Sequence, residues 1–163
     1  MIKGVFFDVG GTLYSYRKLR AATADLMVVL AEKFGLSHEP GVLLGHYAAA
    51  SRQVDLLHAD KPAYLFRDYA EAIFLDFATR IERPDLHVHF DWYEPLQRQR
   101  LVGSLELRDD CHETLDRLKA MGLYLSVVSN ADDNQLAPLV ERAQLQRWMD
   151  HCTSSEEARS CKP

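Results

Sequence analysis

The chain has 163 residues, of which 47% are hydrophobic and 26% charged, and its formal net charge is −5. This length suffices for one domain, or a core with an insertion, that buries its own hydrophobic core, and the acidic balance argues against a nucleic-acid-binding protein, which needs clustered Lys and Arg. The longest apolar stretches, such as Leu26–Ala31, fall well short of the ~20 residues that a membrane span requires, so we expect no membrane partner either.

The N-terminus and the cysteines indicate the cellular compartment. Met1–Lys3 leads directly into an apolar run and lacks the charged, apolar and cleavage regions of a secretory signal. The three cysteines Cys111, Cys152 and Cys161 are odd in number and have no metal-ligand spacing, which is typical of reduced thiols. We therefore predict a cytoplasmic protein.

A short apolar run at the start of the chain predicts a buried strand. Gly4–Phe7 is β-branched and aromatic, and the pair Gly10 and Gly11 stops it. Asp8 therefore lies at the carboxyl end of this strand, which in an open α/β sheet lines the ligand-binding crevice. The alternative is a strand whose terminal Asp makes an ordinary Asx turn.

Between Leu13 and Ser104 the apolar residues recur at helical spacing. The pattern predicts four amphipathic helices, and such helices joined by short loops predict a small bundle. The first helix ends at Gly35, and the third begins after Pro62 and ends before Pro84. The predicted ranges are 19–34, about 42–57, the segment between the two prolines, and about 92–101.

The remainder of the chain alternates between strand and helix. Alternation of this kind predicts a parallel, doubly wound sheet with right-handed crossovers. We expect the chain to rejoin the sheet at Leu105–Leu107, with Asp109 or Asp110 capping the next helix. A second strand then covers Leu123–Ser129, Asp132 or Asp133 caps a further helix, and a weaker third strand covers Trp148–Thr153.

Three motifs together resemble the haloacid dehalogenase-like (HAD) hydrolase superfamily. They are Asp8 after the first strand, Ser129-Asn130 after the second, and Lys162-Pro163 after the third. The resemblance implies a Rossmann-like α/β core, incomplete at its C-terminus, made of residues 1–13 and 104–163. It also implies that residues 14–103 form an inserted helical cap.

The resemblance implies a role for each motif residue. Asp8 would attack a phosphoryl group, or in some branches a halogen-bearing carbon, to give a covalent aspartyl intermediate. Ser129 would hydrogen-bond the oxygens of the transferring group, with the Asn130 amide beside it. Lys162 would pair with Asp8 and neutralise the developing negative charge. Thr12 would steady the loop at the substrate.

Position 10 departs from the pattern of this family. Most of its phosphatases carry a second Asp two residues after the nucleophile, which protonates the leaving alcohol and then activates water, whereas this chain has Gly10. Such proton transfer is typically worth ~10²–10⁴-fold in rate. Three alternatives stay open: a leaving group that needs little help, another proton donor, or a reaction other than phosphate-ester hydrolysis.

The resemblance implies Mg²⁺ as the cofactor, held by the Asp8 carboxylate and the Gly10 carbonyl oxygen. Mg²⁺ prefers near-octahedral oxygen ligands, and the acidic ligands that complete the family's site lie on a strand that would follow Lys162. We therefore expect these 163 residues to belong to a longer natural protein. Without the later strands, the first strand becomes an exposed edge that is open to self-association.

Residues just after the nucleophile loop are the first candidates to face the crevice if the cap assignment holds. They are Tyr14, Tyr16, Arg17 and Arg20. Arg17 or Arg20 would bind a substrate carboxylate or phosphate through two hydrogen bonds. The alternative for either one is an exposed arginine at the start of a helix.

These expectations combine into one functional hypothesis. We predict a phosphatase that acts on a small phosphorylated metabolite through an aspartyl-phosphate intermediate on Asp8. Two alternatives stay open: a 2-haloacid dehalogenase that uses the same Asp8 without metal, and a non-catalytic HAD-fold protein that uses its crevice or cap for binding.

Overall fold

A parallel sheet and a helical bundle make up the computed structural model, which describes residues 2–162. The strands are β1 (Gly4–Phe7), β2 (Tyr14–Ser15), β3 (Glu106–Leu107), β4 (Tyr124–Ser129) and β5 (His151–Ser154). The helices are α1 (Leu19–Phe34), α2 (Pro40–His58), α3 (Phe66–Arg80), α4 (Phe90–Ser104), α5 (Cys111–Ala120), α6 (Asp133–Arg142) and α7 (Ser155–Ala158). Short 3-10 helices cover Pro84–His89 and Leu145–Arg147.

The main sheet contains three parallel strands in the order β1-β4-β5. Phe7 lies opposite Val127, and Ser129 lies opposite Ser154. Because the carboxyl ends of parallel strands meet at one edge of a sheet, this register brings Asp8 to the same edge as Ser129. The predicted parallel α/β core is therefore present, and within residues 2–162 β1 has a strand neighbour on one side only.

The expectation that Leu105–Leu107 rejoins the main sheet is wrong. Glu106 and Leu107 form β3, which pairs antiparallel with β2 in a separate two-stranded sheet. Tyr14 lies opposite Leu107, and Ser15 lies opposite Glu106. An apolar run as short as β3 could pair in either sheet. The position of β2 beside it decides which strand becomes its partner. The chain thus enters and leaves the helical bundle through two adjacent strands.

Two separate hydrophobic clusters hold the structure together. One lies within the bundle, where the rings of Phe74 and Tyr93 stack at a centroid distance of 4.2 Å. The other surrounds the main sheet and includes Leu115 and Val127. Burying each large apolar side chain contributes roughly 1.5–3 kcal/mol relative to exposure, so each unit has its own source of stability. Tyr14, which the sequence placed at the start of the cap, packs in the sheet cluster.

The observed helix and strand ends can be compared with the predicted ones. α1 covers the predicted residues, and Gly35 ends it with a left-handed φ of 58°. The third strand begins at His151 rather than at Trp148. The chain forms a 3-10 helix just before Trp148, and the indole N–H of Trp148 donates to Asp116 Oδ1 at 2.7 Å, so this residue belongs to a turn.

Two further features of the described residues concern bilayer crossing and the thiols. No helix within residues 2–162 combines the length and the apolar character that crossing a bilayer would need. Cys111, Cys152 and Cys161 are free thiols in this part of the chain. Burial raises the pKa of the Cys111 and Cys152 thiols, which favours their protonated forms.

Candidate active site

A tight turn directly after β1 presents Asp8 at the end of the sheet. The backbone N–H groups of Leu13 and Tyr14 both donate to Val9 O, at 3.1 and 2.9 Å. Gly11 N–H donates to Tyr14 O at 2.8 Å, and Gly11 has a φ of 78°, which a residue with a Cβ rarely adopts. These bonds fold β2 back over the loop that follows Asp8.

Asp8 and Lys162 form an ion pair across the edge of the sheet. Lys162 Nζ donates to Asp8 Oδ1 at 2.7 Å and to Val128 O at 2.9 Å. The Lys162 backbone N–H donates to Asn130 Oδ1 at 2.7 Å, which fixes the segment that carries the lysine. The side chains are only partly exposed, 34% for Lys162 and 41% for Asp8. A positive charge is therefore held directly at the carboxylate.

The other two polar residues at this edge differ in their surroundings. Ser129 is buried at the end of β4 and lines a cavity. Asn130 lines the same cavity, but its side-chain oxygen is already bonded to the Lys162 backbone. Ser129 thus presents a hydroxyl at the same edge of the sheet as Asp8, and Asn130 positions the lysine segment.

A cavity of about 770 Å³ lies between the sheet edge and the helical bundle. Its walls are mostly apolar, and within residues 2–162 they include no Asp or Glu side chain. The polar end is formed by the loop that follows Asp8 and by the end of β4. The lining includes Val9, Gly10, Tyr16, Leu19, Arg20, Leu44, Phe66, Tyr69, Ile73, Leu101, Ser129, Asn130 and Gln135.

The structure separates the residues that the sequence had placed near the crevice. Arg20 and Tyr16 line the large cavity, whereas Arg17 does not. Arg17 is exposed, and its backbone N–H donates to Ser15 Oγ at 3.2 Å. Thr12 lines a smaller cavity of about 120 Å³ beside α5.

Tyr14 does not face the crevice as the sequence suggested. The side chain is buried, and its hydroxyl donates to Leu139 O at 2.6 Å. Strand alternation explains the difference between Tyr14 and Tyr16, because residues two apart in an extended strand share a face only while the strand continues, and β2 ends at Ser15.

Tyr16 lies directly over Gly10. A Cβ atom built on Gly10 would be 1.9 Å from the Tyr16 hydroxyl oxygen and 2.7 Å from its Cζ, so the phenol fills the space of a side chain at position 10. Tyr16 is half-buried, 52% exposed; partial burial raises its pKa, and the nearby charge of Asp8 raises it further. The sequence named Tyr16 only as a crevice candidate, since its contact with Gly10 depends on how β2 folds back.

A carboxylate of the core fixes the start of a helix in the bundle. Asp132 precedes α6, and its two oxygens accept hydrogen bonds from the backbone N–H groups of Phe66 and Arg67 at 2.7 and 3.0 Å. Burial raises the pKa of Asp132, against the opposing effect of these two hydrogen bonds. Sequence reasoning assigned Asp132 to its own helix and had no signal for the second one.

The loop that follows Asp8 offers oxygen donors to a metal ion. The Asp8 carboxylate and the Gly10 carbonyl are oxygen donors of the kind that Mg²⁺ prefers. Within residues 2–162, however, no three His, Cys, Asp or Glu side chains cluster as metal ligands. The chemistry of the donors therefore fits Mg²⁺, with the protein supplying a small part of the coordination shell from this region.

Comparison with known proteins gives a consistent family. The family model for haloacid dehalogenase-like hydrolases matches residues 2–163. Among curated proteins, (S)-2-haloacid dehalogenase 4A of Burkholderia cepacia is 33% identical over 69 residues, which is 40% of this chain and 30% of that protein. The match thus spans less than a third of the length of this relative.

Two solved structures show the same fold. YfnB from Bacillus subtilis, bound to magnesium, superposes with a TM-score of 0.72 and 17% identity, covering 99% of this chain and 69% of that one. A predicted phosphoglycolate phosphatase from Haemophilus somnus 129pt gives a TM-score of 0.65 and 17% identity, covering 99% and 66%. At this level of identity, the similarity concerns the fold alone.

Proposed function

This chain belongs to the haloacid dehalogenase-like hydrolase family, and from that premise we propose that it is a phosphatase acting through an aspartyl-phosphate on Asp8. The observation that carries the proposal is the hydrogen-bonded ion pair of 2.7 Å between Asp8 Oδ1 and Lys162 Nζ at the edge of the sheet. A carboxylate so placed is oriented for attack, and the ammonium group lies where negative charge would gather.

The proposed reaction has two displacements. An oxygen of Asp8 attacks phosphorus as the bond to the alcohol breaks, and water then attacks the aspartyl-phosphate to release phosphate. Lys162 stabilises the charge on the phosphoryl oxygens without having to move, because three hydrogen bonds hold it in place. Ser129 donates its hydroxyl hydrogen to a phosphoryl oxygen.

Magnesium is the proposed cofactor. The Asp8 carboxylate and the Gly10 carbonyl would hold it, and it would offset the negative charge of the phosphate. Most of its coordination shell would come from water, substrate oxygens and ligands outside the described residues. The magnesium-bound state of a neighbour of the same fold supports this part of the proposal.

The cavity supports a small substrate with an apolar alcohol portion. Its volume of about 770 Å³ falls in the range of small-molecule sites. Leu19, Leu44 and Ile73 provide apolar contacts for that portion, and Arg20 contributes a cationic side chain to the wall. We place the phosphoryl group at the polar end, beside Ser129, with the alcohol extending towards the bundle.

The decisive experiment replaces the nucleophile. Asp8→Asn in the full-length natural protein should abolish hydrolysis of phosphate monoesters while leaving the fold intact, because the amide keeps the shape and loses the nucleophilic charge. Asp109→Asn is the matched control, since Asp109 is an exposed aspartate outside the cavity. Mass spectrometry of the acid-quenched enzyme should detect phosphate on Asp8, and Asp8→Asn with wild-type kcat would overturn the assignment.

A second candidate function is hydrolysis of 2-haloacids, which Gly10 favours. A halide departs without a proton, so a site with no carboxylate at position 10 suits this reaction. The curated dehalogenase relative adds support. Turnover of a 2-haloacid in excess chelator, lost in Asp8→Asn, would establish this function instead. Absence of turnover and of any trapped intermediate with both substrate classes would favour a non-catalytic binding protein.

A further inference from the structure

We propose that the Tyr16 hydroxyl is the proton donor to the leaving group, in the place of the carboxylic acid that position 10 lacks. The inference rests on the proposed phosphatase function. The geometry points to it directly: the Tyr16 oxygen lies 1.9 Å from where a Cβ of residue 10 would be, so one side chain occupies the space of the other.

The position of Tyr16 supports this role. Gly10 follows the nucleophile by two residues, and Tyr16 reaches this spot because β2 folds back over the loop through the bonds from Leu13 and Tyr14 to Val9 O. Tyr16 also lines the cavity between the nucleophile loop and the apolar walls. The phenol therefore lies in the cavity wall beside Val9 and Gly10, next to the end of the cavity where we place the phosphoryl group.

The chemistry of the cavity lining also supports this role for Tyr16. No Asp or Glu side chain of residues 2–162 lines the cavity. The other two tyrosines of the lining are less accessible to substrate: Tyr47 is buried in the hydrophobic cluster of the bundle, and the Tyr69 hydroxyl donates to Asp55. In the described part of the chain, the Tyr16 hydroxyl has no hydrogen bond to protein and is available to substrate.

Tyr16 accounts for the proton given to the alcohol in the first step and the proton taken from water in the second. As Asp8 attacks phosphorus, the P–O bond to the alcohol breaks and the departing oxygen takes the phenolic proton. The phenolate then takes a proton from the water that attacks the aspartyl-phosphate, which restores Tyr16 and leaves phosphate. The transfer is feasible because an alkoxide is a much stronger base than a phenolate, and the phenol stays protonated at neutral pH until the alkoxide forms.

The test compares substrates whose leaving groups differ in how much they need a proton. In the full-length protein, kcat/KM of Tyr16→Phe is compared with that of wild type on 4-nitrophenyl phosphate, phenyl phosphate and an n-alkyl phosphate. A nitrophenolate leaves without help, whereas an alkoxide does not. We expect a loss of about 10²-fold or more on the alkyl phosphate, at least tenfold larger than the loss on 4-nitrophenyl phosphate, with an intermediate loss on phenyl phosphate.

A second variant acts on the position of the phenol and keeps its hydroxyl. Gly10→Ala introduces the Cβ that would collide with Tyr16, so it should displace the phenol and reproduce the same dependence on leaving group. Tyr124→Phe is the control, because Tyr124 is an exposed tyrosine at the opposite end of β4 and outside the cavity. It should match wild type on all three substrates.

Each remaining outcome has a definite meaning. Equal losses on all three substrates in Tyr16→Phe would assign Tyr16 to substrate binding or loop structure and overturn its role as donor, while the phosphatase function would stand. Wild-type behaviour of Tyr16→Phe on the alkyl phosphate would overturn the role as well. A wild-type protein that hydrolyses none of the three esters would overturn the phosphatase proposal and, with it, this one.

Discussion

The carboxylate of Asp132, in the core, accepts a hydrogen bond of 2.7 Å from the backbone N–H of Phe66, the first residue of α3 in the bundle. A second bond, from Arg67 N–H, occupies the other carboxylate oxygen. One aspartate that precedes α6 therefore also caps the N-terminus of α3. Capping satisfies backbone donors that would otherwise lack partners, so this contact joins the two units at a defined point.

Asp132→Ala should destabilise the protein by about 1–2 kcal/mol, because the loss of a helix cap typically costs ~0.5–2 kcal/mol. Urea unfolding measures the change in free energy, and hydrogen exchange at Phe66 and Arg67 locates it. Asp109→Ala is the control, an exposed aspartate for which we expect a change within about 0.5 kcal/mol. Unaltered exchange at the start of α3 in Asp132→Ala would contradict the capping role.

Lys162→Ala should lower kcat/KM of the full-length enzyme by about a hundredfold or more, about 2.7 kcal/mol, because preorganised charge stabilisation at the phosphoryl group is lost. Lys119→Ala is a close control, since Lys119 forms a partly exposed ion pair with Asp150 at 2.8 Å, on a different part of the surface. It should leave turnover at the wild-type level. A loss of less than about tenfold for Lys162→Ala would mean that the contact between Lys162 and Asp8 is an ordinary surface ion pair with no role in catalysis.

The phenol of Tyr16 should titrate above pH 10, because burial and the charge of Asp8 both raise its pKa. An unfolded chain releases this proton at about pH 10 while the native chain still holds it. Stability therefore falls as the pH rises from about 10 towards the native pKa. The ultraviolet difference between wild type and Tyr16→Phe, followed against pH, measures the midpoint, and a midpoint at or below pH 10 would contradict the shift.

Self-association of the 163-residue chain should proceed through the open side of β1. Phe6 is 69% exposed on this strand, and an edge strand with apolar side chains is a template for pairing with a second copy. Phe6→Lys should shift the chain towards monomer in sedimentation velocity measurements. Val88→Lys, at a residue that is 78% exposed in the bundle, should not. Equal behaviour of the two variants would place the contact elsewhere.

The parts of the fold that depend on local pattern were predictable. α1 followed from helical spacing and from Gly35, whose left-handed φ ends the helix. β1 and β4 followed from apolar runs that stop at polar residues, and this placed Asp8 and Ser129 at one edge. Local chemistry is sufficient in these cases, because each signal lies within a few residues of the element that it defines.

Features that depend on distant contacts were not predictable in the same way. Whether β3 pairs with β2 or with the main sheet is decided by residues far apart in sequence. The overlap of Tyr16 with Gly10 and the capping of α3 by Asp132 both require the path of the chain in three dimensions. A single sequence offers an aspartate before a helix, but it does not say which helix ends will use the carboxylate.

The pairing of β2 with β3 also affects how this molecule can evolve. Ser15 and Glu106 lie opposite each other, so the segment between them, residues 16–105, is a long loop whose two ends are held together. The entropy of closing such a loop changes slowly with length, by only about 0.6 kcal/mol for each doubling. A descendant gene can therefore lengthen, shorten or exchange the inserted helices while Asp8 and Ser129 keep their positions. Such an exchange would alter the apolar walls of the cavity, which the bundle supplies, and would leave the ends of β1 and β4 in place.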